Sequence, residues 1–207
     1  MDWIEKNIDV LSVGEILIDM IGQQMNKTIA ETNEFQKYLG GSPANVAFNL
    51  NALNADVRFI GSIGQDGLGK FIYNEFKSKD LSVEGLRQLE NTPTSIILVS
   101  KTSGTPDFIP YREADSQILE EQFDERVLKQ AKVFHTTCFA LSQQPARDTI
   151  LKVAKKAKDF GATLSIDLNY ASRIWPDKAE AQSIISEYLQ LDPLLKISED
   201  DVQRLLG

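Results

Sequence analysis

Leu39-Gly40-Gly41-Ser42-Pro43-Ala44-Asn45-Val46-Ala47-Phe48-Asn49-Leu50 is the stretch that decides how this 207-residue chain folds. Adjacent glycines permit a sharp turn and let backbone lie against a ligand with no Cβ in the way. Ser42 suits the N-cap, and Pro43 the first helical position, where no amide donor is required. Asn45 then falls in the first turn of a helix, beside free N–H groups and the positive end of the helix dipole. Val46, Leu50 and Leu53 recur at helical spacing and predict a buried face opposite it. A side-chain amide beside bare glycine backbone suits a small polyhydroxylated ligand. The alternative is an ordinary turn leading into a core helix.

On the N-terminal side, Asp9-Val10-Leu11-Ser12-Val13-Gly14 is a short apolar run closed by glycine, as expected of a buried first strand. Glu15-Ile16-Leu17-Ile18-Asp19-Met20-Ile21 alternates imperfectly, as if the chain leaves the core sheet for a more exposed strand. The carboxylates at 15 and 19 are either solvated charges or, just past a strand's carboxyl end, acceptors for ligand hydroxyls. A polar loop is predicted over 23–34, and a short strand over 35–39 leads into the glycines.

On the C-terminal side, Val57-Arg58-Phe59-Ile60-Gly61 predicts a second core strand and 68–79 a helix. Gly64 to Lys70 fits the G-x-x-x-x-G-K part of a phosphate loop, but Phe71 stands where Ser or Thr must meet magnesium, so a structural turn is the better reading. Thr94–Lys101 and 105–112 are β-rich and separated by Thr102-Ser103-Gly104, a hairpin signature. Together with the excursion over about 17–39, these strands are expected to form a small sheet beside the main one. That sheet would cover the carboxyl ends of the parallel strands as a flap, or pair its edges with another copy.

Alternation of strand and helix then resumes. A helix is predicted near 123–132, the strand Val133-Phe134-His135-Thr136-Thr137 follows, and Pro145 opens a helix that Gly161 closes. Its lysines at 152, 155, 156 and 158 fit a solvated face. Thr163-Leu164-Ser165-Ile166-Asp167 is a strand ending in polar Asp167-Leu168-Asn169, where the ligand crevice of an open α/β sheet lies. Asp177 caps a helix to about 190, Leu194-Leu195-Lys196-Ile197 is expected to be a buried strand, and Ser198-Glu199-Asp200-Asp201 resembles a capping box. The expected fold class is α/β, doubly wound, with a mainly parallel sheet and helices on both faces.

Composition narrows the function. A net charge of −8 argues against nucleic acid, which needs a basic footprint. No apolar run is long enough to span a bilayer, and Met1-Asp2-Trp3-Ile4-Glu5-Lys6 is no signal peptide, so a cytoplasmic address and no membrane partner are expected. One cysteine (Cys138) and one histidine (His135), both in an apolar run, exclude an internal disulfide framework and make a zinc site implausible; both are expected in the core.

Gly40-Gly41-Ser42-Pro43-Ala44-Asn45-Val46-Ala47, followed by Phe59-Ile60-Gly61-Ser62-Ile63-Gly64-Gln65-Asp66-Gly67-Leu68-Gly69, is similar to the first signature of the PfkB, or ribokinase-like, carbohydrate kinases. The resemblance runs along essentially the whole chain. Gly14-Glu15-Ile16-Leu17-Ile18-Asp19 resembles the family's opening strand, whose aspartate holds sugar hydroxyls. The resemblance therefore implies Asp19, Gly40, Gly41 and Asn45 as sugar-binding residues, and a β lid from strands at about 17–39 and 94–112. Tyr111-Arg112 resembles a lid pair of members that take keto sugars and keto acids. The family's D-x-N-x-R-x-x-L-W stands as Asp167-Leu168-Asn169-Tyr170-Ala171-Ser172-Arg173-Ile174-Trp175, so Ala171 replaces the arginine and Arg173 is the candidate substitute. Its N-x-x-E, linked to magnesium and phosphate, stands as Ser198-Glu199-Asp200-Asp201. Asp167, Asn169, Arg173, Ser198 and Asp201 are thus implied on the phosphate side.

The family's second signature, D-T-x-G-A-G-D, which brings the catalytic aspartate and anion hole, has no match here. By the resemblance that aspartate would lie beyond Gly207, and the 207 residues would form one ribokinase-like domain, C-terminally incomplete and without its ATP-binding part. The implied function is an ATP- and magnesium-dependent kinase of a small keto sugar or keto-deoxy sugar acid. This chain would carry the sugar side, hold no cofactor tightly, have no turnover alone, and dimerise through the lid. The alternatives are a nucleoside or sugar-phosphate kinase of the same fold, or a non-catalytic sugar-binding or dimerisation module.

Overall fold

The computed structural model describes residues 6–104 and 106–207. The larger sheet contains six described strands, all parallel: β1 (Ile8–Val13), β4 (Val57–Gly64), β5 (Leu86–Leu89), β8 (Ala131–Thr137), β9 (Thr163–Asp167) and β10 (Leu194–Lys196), in the order β10-β9-β8-β1-β4-β5. Apolar residues in short β-branched runs make both faces of the central strands bury; Leu11, Val13, Phe134 and Ile166 are inaccessible. One face is packed by α1 (Ser42–Ala52) and α2 (Gly67–Ser78), around Ile63, Ile72 and Phe76. The other is packed by α3 (Glu125–Gln130), α4 (Ala146–Asp159) and α5 (Lys178–Leu189), around Phe134, Ile150 and Trp175. The doubly wound expectation holds.

The smaller sheet, ordered β3-β2-β6-β7, is built from β2 (Leu17–Met25), β3 (Phe35–Gly40), β6 (Ile96–Lys101) and β7 (Phe108–Tyr111). Only its central β2–β6 pair is parallel. Its strands come from the two excursions foreseen in the sequence; Thr105, expected to open the second hairpin strand, lies outside the described residues. Along β1 the order of the main sheet reverses, with β4 on one side and β8 on the other. Ligands of such sheets lie beyond the carboxyl ends of the strands at that place.

Several local expectations are corrected. Gly41, not Ser42, caps α1: its φ of 104° lies in the region that favours glycine, and Ser42 is already helical. The buried face of α1 is Pro43, Ala44 and Ala47, while Leu53 is 74% exposed. Small residues let the helix approach β1 closely, and the Ser12 hydroxyl donates to the Pro43 carbonyl at 2.8 Å. The predicted loop 23–34 is partly ordered, since β2 runs on to Met25 and Thr28 and Glu31 box a single turn over Ile29–Glu31. The helix near 123–132 is only six residues long, because Ala131 already pairs with Ile8 in the main sheet. β10 forms as predicted, but Leu194 is 63% exposed rather than buried. Strand β5, Leu86-Arg87-Gln88-Leu89, is too polar to be recognised from its sequence.

Asp66 ties the two sheets together near the glycine-rich connection. Its carboxylate accepts the Leu68 and Gly69 amides, capping α2, and also the Thr94 amide (2.7 Å) and hydroxyl (2.8 Å) just before β6. Burial alone would raise its pKa, but these hydrogen bonds outweigh it and hold the carboxyl below its usual value. Asp66→Ala is expected to cost about 2 kcal/mol at neutral pH, read as a lower urea midpoint. A depressed folded pKa contributes stability that is present above the unfolded value and lost on acidification. The difference between parent and variant should therefore shrink as pH falls below 3.8.

Candidate functional site

A cleft of about 360 Å³ lies where the smaller sheet overhangs the carboxyl ends of β1, β8 and β9. Glu15 follows β1, Leu17 and Asp19 stand on β2, and Ile97 and Phe108 come from β6 and β7. Gly41, Ser42, Asn45, Val46 and Asn49 come from the start of α1, and Phe139 and Asn169 from the turns after β8 and β9. The register explains the meeting of strand residues: Asp19 stands opposite both Tyr38 and Ile97, so these share a face of the smaller sheet.

The double-glycine turn is sterically necessary. A Cβ on Gly41 would lie 2.3 Å from the Glu15 carbonyl oxygen, and one on Gly40 would lie 2.4 Å from the Asp19 carboxylate. Asn45 sits exposed in the first turn of α1, where its own amide closes onto the Gly41 carbonyl at 2.9 Å. Asn49, one helical turn on, adds a second side-chain amide to the same wall. Asn169 completes the polar lining from a left-handed backbone, φ 30°.

The two carboxylates of the cleft differ. Asp19 accepts no hydrogen bond from any described residue, and burial pushes its pKa up to about 6. Glu15 is 2% exposed, and both its oxygens are engaged: the Thr137 hydroxyl donates at 2.7 Å and the Ser42 amide at 3.1 Å. Burial pushes Glu15 up to about 7, opposed by the Thr137 hydrogen bond and the charge of Arg112.

The remaining residues singled out in the sequence are distributed around this cleft. Asp167 lies beside it, within 3.4 Å of the Ser42 hydroxyl and 2.9 Å from the Lys196 ammonium. Arg112 does not line it. Its guanidinium holds the Asp115 carboxylate at 2.6 and 2.9 Å, donates to the Ser142 hydroxyl, and stacks 4.1 Å from the Phe139 ring centre. Tyr111 is 56% exposed at the end of β7. Arg173 pairs with Asp107 at 2.6 Å. Ser198 caps α6 (Glu199–Leu206), and Asp201 is turned inward to accept the Ser198 amide and hydroxyl and the Tyr170 amide. Cys138 and His135 are buried, as expected of core residues.

Of the residues expected on the sugar side, Asp19, Gly41 and Asn45 line the cleft and Gly40 is buried behind it; Asn169, expected on the phosphate side, lines the same cleft, and the apolar wall of Leu17, Val46, Ile97, Phe108 and Phe139 was not foreseen. The Asn45–Asn49 spacing of four could have revealed the second amide. No Lys or Arg is among the residues lining the cleft. No helix among the described residues is long and apolar enough to cross a membrane.

The chain is similar to known proteins along nearly all its length. It is 32% identical over 203 residues to an ATP-dependent 6-phosphofructokinase of Thermoanaerobacterium thermosaccharolyticum, covering 98% of this chain and 62% of that protein. The fructokinase of Halothermothrix orenii superposes with a TM-score of 0.86 at 36% identity, over 96% of this chain and 71% of that one. A sugar kinase of Pyrococcus horikoshii, solved in complex with ATP, superposes with a TM-score of 0.89 at 27% identity, over 95% of this chain and 65% of that one. The chain spans about three fifths of the length of the curated relatives it matches. The pfkB family carbohydrate kinase profile matches residues 7–207, and the chain belongs to that family.

Proposed function

We propose that this chain carries the acceptor-binding part of an ATP-dependent carbohydrate kinase whose acceptor is a small uncharged keto sugar of the fructose type. The observation that carries the proposal is the charge of the cleft: two carboxylates and three side-chain amides, with no cation on its walls. Sugar hydroxyls are donors, and Asp19 is a carboxylate with no protein donor spending its lone pairs. Asn45, Asn49 and the bare backbone of Gly41 supply further polar contacts, while Ile97, Phe108 and Phe139 suit the C–H face of a ring.

A phosphorylated acceptor, as the name of the Thermoanaerobacterium relative implies for that protein, would meet Asp19 and Glu15 in a site of low dielectric. A keto-deoxy sugar acid meets the same repulsion, because Arg112 is committed to Asp115. Arg112 and Tyr111 then contribute to the joint of the overhanging sheet rather than to direct contact with the acceptor.

The Pyrococcus complex supports ATP as the donor, and the family resemblance assigns Asp167 and Asn169 to its side. The other phosphate-side candidates are spent: Arg173 on Asp107, and Asp201 on Ser198 and Tyr170. Among the described residues no cluster of three or more His, Cys, Asp or Glu could hold a metal ion. The described residues alone do not assemble a magnesium or triphosphate cradle. A second copy pairing through the smaller sheet is part of the same proposal, supported by the outer strands β3 and β7, which have one strand partner each, and by exposed Tyr38 and Tyr111. A reducing cytoplasm suits the single buried thiol.

Four outcomes test these proposals. D-fructose is expected to raise the melting temperature of the chain, while fructose 6-phosphate and 2-keto-3-deoxygluconate do not. An equal shift from a charged acceptor would overturn the charge argument. Asp19→Asn should weaken fructose binding on the order of 10- to 100-fold by calorimetry, the equivalent of one hydrogen bond to a charged group. Because the folded pKa of Asp19 is raised to about 6, its ionisation costs stability as pH rises from 3.8 to 6, so the variant should be at least as stable as the parent above pH 6. In a coupled assay this chain alone should release ADP at background rate, and ordinary turnover would refute its assignment to the acceptor side only.

A further inference from the structure

Glu15 and Asp19 look equivalent in the sequence, two carboxylates four residues apart beside the same glycines. Their surroundings separate them. Asp19 faces the cleft without a protein donor, whereas both Glu15 oxygens are taken by groups on different elements. The Ser42 amide belongs to the first helical residue after Gly41, and Thr137 ends β8. Thr137 is itself fixed, since its hydroxyl oxygen accepts the Ala140 amide at 3.1 Å and so donates its one hydrogen to Glu15. This arrangement meets Glu15 with a donor at each oxygen, which favours the ionised carboxylate, and protonation would crowd a third hydrogen among the two already there.

We propose that Glu15 is the positioning residue of the acceptor site: its carboxylate straps the double-glycine turn to the end of β8, and taking up a proton releases the Ser42 amide and lets the turn leave its binding geometry. The groups facing it are identifiable. Arg112 favours the charged form, and Asp115 opposes it from the same turn. Cys138 is neutral, its thiol pushed far up by burial. Asp19 stands across the cleft, and Asp167, neutralised by Lys196, meets the Ser42 hydroxyl. Burial holds the midpoint near neutrality, at about 7, so the strap would loosen within the range in which cells and assays operate. Its sign is opposite for fold and for site. With a raised folded pKa, Glu15 costs global stability as pH rises from 4.5 to about 7, while the binding geometry is assembled above that point.

The strap itself is independent of what the cleft binds; only the ligand arm of its test rests on the proposed function. In proton–nitrogen spectra of the 207-residue chain, the Ser42 amide should move with a midpoint near 7, and Glu15→Gln should flatten that titration. D-fructose, as the probe, should bind roughly 10-fold more weakly at pH 6 than at pH 8 from this group alone, since affinity scales with the competent fraction. Asp19 adds a shallower limb near 6 that Glu15→Gln retains. A Ser42 titration that depends on Glu15, without fructose binding at any pH, supports the strap and overturns the acceptor assignment. A Ser42 amide that stays still between pH 5.5 and 8.5, or a fructose profile unchanged by Glu15→Gln, overturns the proposal. Thr137→Val gives the same test while keeping the charge. Losing the hydrogen bond that favours the ionised form should move both midpoints to higher pH, and unmoved midpoints overturn the strap equally.

Discussion

The left-handed backbone at Gly41 is the constraint on which the site depends. A chain leaving β3 must reverse into α1 within one residue while passing 2.3 Å from where any Cβ would meet the Glu15 carbonyl. Only glycine satisfies both the dihedral and the contact. Once that turn is made, the rest follows: Ser42 is delivered to the Glu15 carboxylate, Pro43 and Ala44 lie flat against β1, and Asn45 and Asn49 project over the strand ends. A second residue lining the cleft, Asn169, also has a positive φ, 30°.

A different interaction sets how the smaller sheet sits. Arg112 and Asp115 have side chains 3% and 0% exposed, and their charges are satisfied by Ser95, Ser142 and the Phe139 ring as well as by each other. Desolvating such a pair offsets most of its attraction, so its worth lies in fixing geometry more than in stability. Removing one partner would strand a buried charge at the joint between β7 and the turn after β8.

Much of this was legible in the sequence, and the limits have physical reasons. Alternation of apolar strands and capped helices gives the layers, and the unbroken β-rich run over 94–112 gives the second sheet. Gly41, Asn45 and Asp19 were legible because backbone permissiveness, a helix start and a carboxylate among apolar strand residues are local properties. The fate of Arg112 was not, because the burial that locks it onto nearby Asp115 is completed by Ser142 and Phe139, about thirty residues on, and no spacing rule links them. The buried side of α1 was misjudged since hydrophobicity favours Val46 and Leu50, whereas close approach to β1 favours alanine. The difference between Glu15 and Asp19 rests on donors supplied by Ser42 and Thr137, which only the folded chain brings within reach.

The hairpin of β6 and β7 has ion pairs at both ends, and they are of opposite kinds. At its base Arg112–Asp115 is sealed from solvent, while near its tip Asp107 meets Arg173 with both side chains about half exposed. Screening by dissolved ions acts on exposed pairs and barely reaches buried ones. Added salt therefore weakens the contact near the tip and leaves the pair at the base nearly untouched.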